Sequence, residues 1–334
     1  MIGRSRGVET WRLHVVDGDE LPIVEGTGSD DWQAGRTSPH GMTVQLKEHP
    51  GDLRGALLRG TYRCDKGAWV IGTWVPTGLT RALSDGPDVW TLSAVDTTVL
   101  LSRIQLRRAL TLPTGADIEA EARTLLDIYR PGTALATVDT DATLRVPLTW
   151  DVGTSVLTAL SEMLAAGGHE SVRPTRMGDY TAPLIGAAGR EPVIEWADDQ
   201  IGGRFLPEME LVDRLLDTPN EVLAVAPGSG STPGIVGYWS DLAAIERYGR
   251  HTDTIRVEAA SQDAANAQAA QRGRELQAHA AEFTVTGPWE PVDAGSLAAL
   301  TWAERDIARL ATIRGWSHKW APAADTAYSM QEVR

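Results

Sequence analysis

The chain has 334 residues, 42% of them hydrophobic, which is long enough for two or three cores and too apolar for a disordered protein. Its 31 basic and 45 acidic side chains give a net charge of −14, which excludes a nucleic-acid backbone as the main ligand, because that affinity comes from neutralising phosphates with Lys and Arg. No run of about eighteen apolar residues is present for a membrane span, MIGRSRGVETWRLHVV lacks the apolar centre of a secretory signal, and the single Cys64 allows no internal disulfide and suits a reducing compartment.

The first hundred residues read as short strands. TWRLHVV alternates Trp11, Leu13 and Val15 against Arg12 and His14, and GMTVQLKE alternates Met42, Val44 and Leu46 against Thr43, Gln45 and Lys47. WVIGTWVP and VWTLSAV follow, with turn chemistry at DKG and SDGPD. Short strands punctuated by Gly and Pro predict a closed or nearly closed barrel.

The period then changes. In TGADIEAEARTLLDIYRPG, residues Ile118, Ala122, Leu125, Leu126 and Tyr129 share one helical face; Thr114 is placed to cap, Asp117 lies in the first turn, and Pro131-Gly132 stop the helix. The strand LRVPLTW leads into DVGTSVLTALSEMLAAGG, where Val152, Val156, Leu160 and Leu164 stack four apart before Gly167-Gly168. A ragged stretch to about residue 205 completes a small α+β unit. Strand character returns in NEVLAVA, followed by the loop GSGSTPG, then by TIRVEA and an Ala-rich helix from about Ser261 to Glu282. The last fifty residues read again as strands and turns.

Little here carries chemistry. The seven histidines, His279 among them, show no HxxxH or HExxH spacing, so neither metal nor cofactor is expected. No GxSxG elbow is present, and APGSGSTPG lacks the GK[ST] of a phosphate loop. Asp139 and Asp141 lack the Gly and distal Glu of a calcium loop. With 45 acids, a carboxylate pair for glycoside hydrolysis is available by chance and carries no weight. Twelve Trp against two Phe could form a sugar platform, but Trp11, Trp69, Trp74 and Trp90 lie in strands among apolar neighbours and read as core. No catalytic residue is expected.

Four segments, in order, resemble the hub or tail-tube-like minor tail proteins of tailed bacteriophages. GALLRGTYRCDKGAWVIGTWVPTGLTRAL…VWTLSAVDTTVLLSR is similar to the first tube domain, with a strand ending at Asp96 before a short helix. WDVGTSVLTALSEMLAAGGHESVRPTRMGDYTAPL resembles the inserted unit that follows. DTPNEVLAVAPGSG is similar to the Pro-Asn opening of the second tube domain, at Pro219-Asn220. SDLAAIERYGRHTDTIRVEAASQDAANAQAAQRGRELQ resembles a Ser–helix–Tyr-Gly joint, at Ser240, Tyr248 and Gly249, leading into a long helix.

The residues themselves add two local expectations. Asn220, one of only two asparagines, stands at a strand entrance, where its amide can close a turn and lock the crossing into the second β domain. Leu242, Ile245 and Tyr248 share one face of a short helix that Ser240 would cap and that Gly249 would end in the left-handed αL conformation.

The resemblance implies an α+β, mainly β chain with two tail-tube-like β-barrel or sandwich domains, an inserted α+β domain and a small helix-containing domain. The divisions are 1–103 for the first tube-like domain, 104–215 for the insertion, 216–237 with 283–334 for the second tube-like domain, and 238–282 for the connecting domain. It implies a homotrimer whose paired tube domains build a pseudo-sixfold ring in the virion tail tip, adapting a sixfold tube to a threefold tip. Partners would be a distal tail protein or tail-tube ring and a tape-measure or tip protein. Genomic DNA would pass only transiently, without stable binding. No appended fibre, lysozyme or peptidase domain is expected. The alternative function is a tail-associated glycan-binding or cell-wall-degrading protein.

Overall fold

The computed structural model describes residues 8–33, 38–82, 88–185, 191–197, 206–208, 219–228, 232–278, 282–302 and 307–332. His279, most of the SDGPD turn and the centre of the GSGSTPG loop lie outside these residues.

The first unit holds β1 Thr10–Val15, β2 Glu20–Leu21, β3 Gly28–Gln33, β4 His40–Leu46, β5 Leu58–Cys64, β6 Gly67–Ala82 and β7 Val89–Asp96. The next stretch contains α1 Thr98–Arg103, β8 Leu110–Leu112, α2 Ile118–Tyr129, β9 Leu135–Thr137, β10 Leu148–Trp150, α3 Val156–Ala166, β11 Arg173–Pro174 and β12 Tyr180–Ala182. Then come β13 Ile194–Ala197, β14 Leu206–Glu208, β15 Glu221–Ala226, β16 Ile235–Ser240, α4 Leu242–Tyr248, β17 Thr252–Arg256 and α5 Gln262–Ala278. The chain closes with β18 Glu282–Gly287, β19 Leu297–Trp302, β20 Ile307–Trp320 and β21 Thr326–Glu332.

The fold is mainly β, but it does not form the expected closed barrels. One large, mostly antiparallel sheet runs β14-β18-β21-β20-β3-β4-β7-β6-β5-β1-β2, with β13 and β19 branching from β20, and among the described residues it stays open. The cause is β20. Its Ala311–Ser317 portion pairs with β21, while its other edge is taken first by β19 and then, past a bulge between Ile313 and Gly315, by β3. A strand shared in this way joins the two β units into one sheet, where a separate closure of each would need two strands.

The cores follow the same logic. Leu13, Val44, Leu46, Leu58, Trp74 and Leu92 fill the first unit, and Trp289 and Trp320 from the end of the chain complete it. Ile194, Trp196, Val285, Ile313, Tyr328 and Met330 pack the second, to which β3 sends Trp32. The alternation expected for GMTVQLKE is present, with Met42, Val44 and Leu46 all buried. Trp74 is fully buried, and Trp11, Trp69 and Trp90 pack half-buried against the same core. Trp32, Trp150, Trp196, Trp289, Trp316 and Trp320 are buried as well.

Several local expectations are corrected. Asp117, not Thr114, caps α2, by accepting from the Ala120 N–H at 2.8 Å. Ser155 caps α3 one residue before Val156, so Val152 lies outside the helix and is exposed. Glu282 starts β18 rather than ending the Ala-rich helix. The hairpin β15-β16, expected beside the final β segment, instead pairs with β17 in a separate sheet of order β16-β15-β17. That sheet buries Val222, Ala224 and Ala226 against Ala264, Ala265 and Ala269 of α5, a helix whose small side chains allow close approach.

Candidate assembly site

Four of the five residues singled out from the sequence converge at the joint between β16, α4 and β17. Asn220 is its centre. It is buried, its Oδ1 accepts from the His251 N–H at 2.8 Å, and its Nδ2 donates to the Gly249 carbonyl at 2.7 Å. Its backbone N–H donates to the His251 carbonyl at 2.9 Å and its carbonyl accepts from the Asp241 N–H at 2.9 Å. One side chain therefore pins the turn after α4 onto the start of β15 from 29 and 31 positions away, rather than closing a local turn.

The cap differs from expectation. Ser240 is still in the β ladder, opposite Glu221, so its backbone is committed to the sheet. Asp241, one residue on, takes extended angles and accepts from the Ala244 N–H at 3.0 Å. At the other end Gly249 has φ 81° and ψ 174° rather than the αL pair. That mirror-image extended conformation is essentially confined to Gly.

On the apolar face of α4 only Ile245 is half-buried, and its two ends stand in solvent. Leu242 is 70% and Tyr248 41% exposed, and Tyr238 on the neighbouring β16 is 64% exposed. Beneath the joint, Glu221 is buried and paired with Arg250 and with the Thr252 hydroxyl, the latter at 2.7 Å.

Asp96 lies elsewhere, at the end of β7 before α1. It is buried; its Oδ2 accepts from the His40 N–H at 2.8 Å and its Oδ1 from the Thr98 N–H at 2.8 Å and the Thr98 hydroxyl. Burial pushes its carboxyl above the ordinary value, against the pull of those donors. Asp96, His40, Thr73 and Trp32 line one side of a cleft of about 340 Å³, and Arg173 and Arg176 line the other. The stretch 173–180 is keyed into this junction. Arg173 donates to the Ala294 carbonyl at 2.8 Å, Arg176 pairs with Asp293 at 2.9 Å, and the Tyr180 hydroxyl donates to the Thr97 carbonyl at 2.8 Å. Among the described residues no three His, Cys, Asp or Glu side chains are grouped to hold a metal ion.

No protein-family model and no curated protein matches the chain. Solved structures do, over almost its whole length. A tail protein from Neisseria meningitidis MC58 superimposes with a TM-score of 0.71 at 16% identity, covering 97% of this chain and 96% of that one. The chain has the phage tail-protein fold. The 43 kDa tail protein of prophage MuSo2 from Shewanella oneidensis aligns at TM-score 0.65 and 11% identity, over 97% and 98% of the two chains. A type VI secretion component of E. coli, itself described as structurally similar to T4 bacteriophage tail proteins gp27 and gp5, aligns at 0.54 and 12%, over 96% and 77%.

Within this tail-protein fold, a buried polar centre escaped the reading of the sequence. Asp30 on β3 accepts from the indole N–H groups of Trp316 at 2.9 Å and Trp320 at 2.8 Å, and its Oδ2 meets His40 Nε2 at 3.0 Å. Burial alone would raise the Asp30 carboxyl, but the hydrogen bond and charge of His40, with His318 and Trp320, hold it below the ordinary carboxylate value. The available signal was positional: in GSDDWQ, Asp30 shares the inward face with Gly28 and Trp32. A carboxylate at an inward strand position needs buried donors.

Proposed function

We propose that the chain is the structural hub of a phage tail tip, a homotrimeric ring that continues the tail tube, adapts sixfold to threefold symmetry and lets DNA pass. The carrying observation is the full-length likeness to tail proteins, combined with one sheet that runs through two β units in each copy. Two such units per chain are what a threefold ring needs to present six wall segments. A ring would also cover open sheet ends against neighbours.

The joint supports the same reading. Leu242 and Tyr248 on α4 and Tyr238 on β16 form an exposed apolar rim beside a joint held by Asn220, Asp241 and Gly249. In our reading this rim meets a neighbouring copy or ring, and Asp96, Asn220, Ser240, Tyr248 and Gly249 serve assembly rather than catalysis. The partners are a distal tail protein or tube ring and a tape-measure or tip protein, and the site of action is the virion tail.

Light scattering and negative-stain images of the purified chain test this. Trimeric rings with a central hole are expected. A monomer at every concentration, in the presence and absence of the adjacent tail proteins, overturns the reading.

A further inference from the structure

The inserted α+β unit contains a buried acid–base pair that the hub reading does not use. Glu119, in the first turn of α2, and His169, just past the end of α3, have no exposed side-chain surface and meet at 3.0 Å between Oε1 and Nε2. The Thr140 hydroxyl also donates to Oε1, while Oε2 has no partner.

The other face of the imidazole decides the chemistry. His169 Nδ1 lies 2.9 Å from the Ala182 carbonyl oxygen on β12. A carbonyl oxygen only accepts, so Nδ1 carries a hydrogen. A neutral ring with hydrogen on Nδ1 leaves Nε2 as an acceptor, and an ionised carboxylate is an acceptor too. Two acceptors cannot make this contact without a proton between them. The proton is on Nε2 of an imidazolium or on Oε1 of a carboxylic acid, and in both forms the pair holds the same count.

We propose that Glu119 and His169 trap one proton in the folded chain and so form a pH-sensitive latch. It ties together α2, the exit of α3 and β12. In an unfolded chain a histidine gives up its proton near pH 6.5 and a glutamate near pH 4.3, so at about pH 8 the unfolded pair holds none. The folded chain then binds one proton more than the unfolded chain. Stability from the latch is complete below the unfolded histidine value and declines as alkali removes the shared proton. On the acid side it declines below the unfolded glutamate value, where the unfolded chain takes up a second proton.

The surroundings suit a retained proton. On α2 stand exposed Asp117 and Arg123 and half-buried Glu121; beside Thr140 stand exposed Asp139 and Asp141; after α3 comes Glu170, which faces Arg173; and α5, packed on Gly168, contributes exposed Asp263. Acidic groups predominate around the pair. The Leu164, Ile118, Ala122 and Tyr180 side chains keep water from this core.

The experiment is chemical unfolding of the full chain between pH 6 and pH 9.5, for wild type and Glu119→Gln. The glutamine amide can donate to Nε2 without a mobile proton. The wild-type unfolding constant is expected to gain up to about tenfold per pH unit over the variant's across the window where the extra proton is held. Identical pH dependence in the two proteins overturns the latch. Should Glu119→Gln fail to fold, NMR of the His169 ring nitrogens and the Glu119 carboxyl carbon in wild type at pH 8 decides: a protonated Nε2 or a protonated Glu119 carboxyl supports the latch, and an unprotonated Nε2 facing an ionised Glu119 carboxylate overturns it.

Discussion

Trp316 and Asp30 stand 286 residues apart in the chain and are joined by an indole hydrogen bond of 2.9 Å to a fully buried carboxylate. The contact crosses the β3–β20 pairing, the seam at which the two β units become one sheet. Trp316→Phe keeps an aromatic ring, though a smaller one than the indole stacked on Trp32, and removes the donor. Losing a hydrogen bond to a buried charge costs about 1.5–3 kcal/mol, and both units are expected to loosen together in hydrogen exchange. A Trp316→Phe chain with unchanged exchange at the seam contradicts this role.

The same carboxylate makes the seam acid-sensitive. Its folded proton affinity lies below the unfolded one, so its stabilisation is complete above the unfolded value of about 3.9 and drains as pH falls through the lower folded value. Acid unfolding followed by tryptophan fluorescence should therefore steepen below about pH 4, and Asp30→Asn should flatten that limb while lowering stability at neutral pH. Equal acid limbs in the two proteins argue against Asp30 as the cause.

Asn220→Ala removes an acceptor for the His251 N–H and a donor to the Gly249 carbonyl. Both partners border solvent, so the cost falls toward the lower end of about 1–3 kcal/mol. A drop of a few degrees in Tm is expected, with weaker assembly because the α4 rim is no longer held. Unchanged thermal stability sinks the assignment.

How much of this was legible in the chain depends on distance along it. Asn220 stood out as a rare amide at a strand entrance, but the local turn expected of it is absent: its side chain reaches Gly249 and His251, 29 and 31 positions on. The strand β4 was found because Met42, Val44 and Leu46 alternate. The cap slipped by one residue because Ser240 and Asp241 are both competent caps, and only the ladder partner Glu221, nineteen positions back, removes Ser240 from contention. The shared sheet was illegible for the same reason on a larger scale. Nothing within TIRGWSHKW says that one edge of β20 will be handed from β19 to β3. The Asp30 centre needs donors from the opposite end of the chain, and the Glu119–His169 contact spans fifty positions.

The seat of α5 is a packing prediction. A Cβ on Gly237 would lie 2.2 Å from the Ala265 backbone, and one on Gly273 would lie 2.2 Å from the Trp239 ring. Gly237→Ala meets backbone that cannot rotate away, so α5 must lift from β16 at a cost of about 1–3 kcal/mol or more. Gly273→Ala meets a half-buried side chain rather than backbone and should cost less. Thermal melts that rank the two in the opposite order contradict the close helix–sheet approach.

The proposed passage of DNA through a ring sets the last expectation. The chain carries 45 acidic against 31 basic side chains, and a ring that conducts DNA must not hold it. Phosphate binding releases counterions only where Lys and Arg cluster, and it weakens steeply with salt. A lumen in which acids outnumber bases offers no such release and repels the duplex. Assembled rings mixed with short duplex DNA at about 50 mM salt, where basic channels bind tightly, should give no anisotropy change. Micromolar binding that weakens with salt, or a positive lumen potential in the assembled ring, contradicts a passive conduit and points instead to a surface that grips the genome.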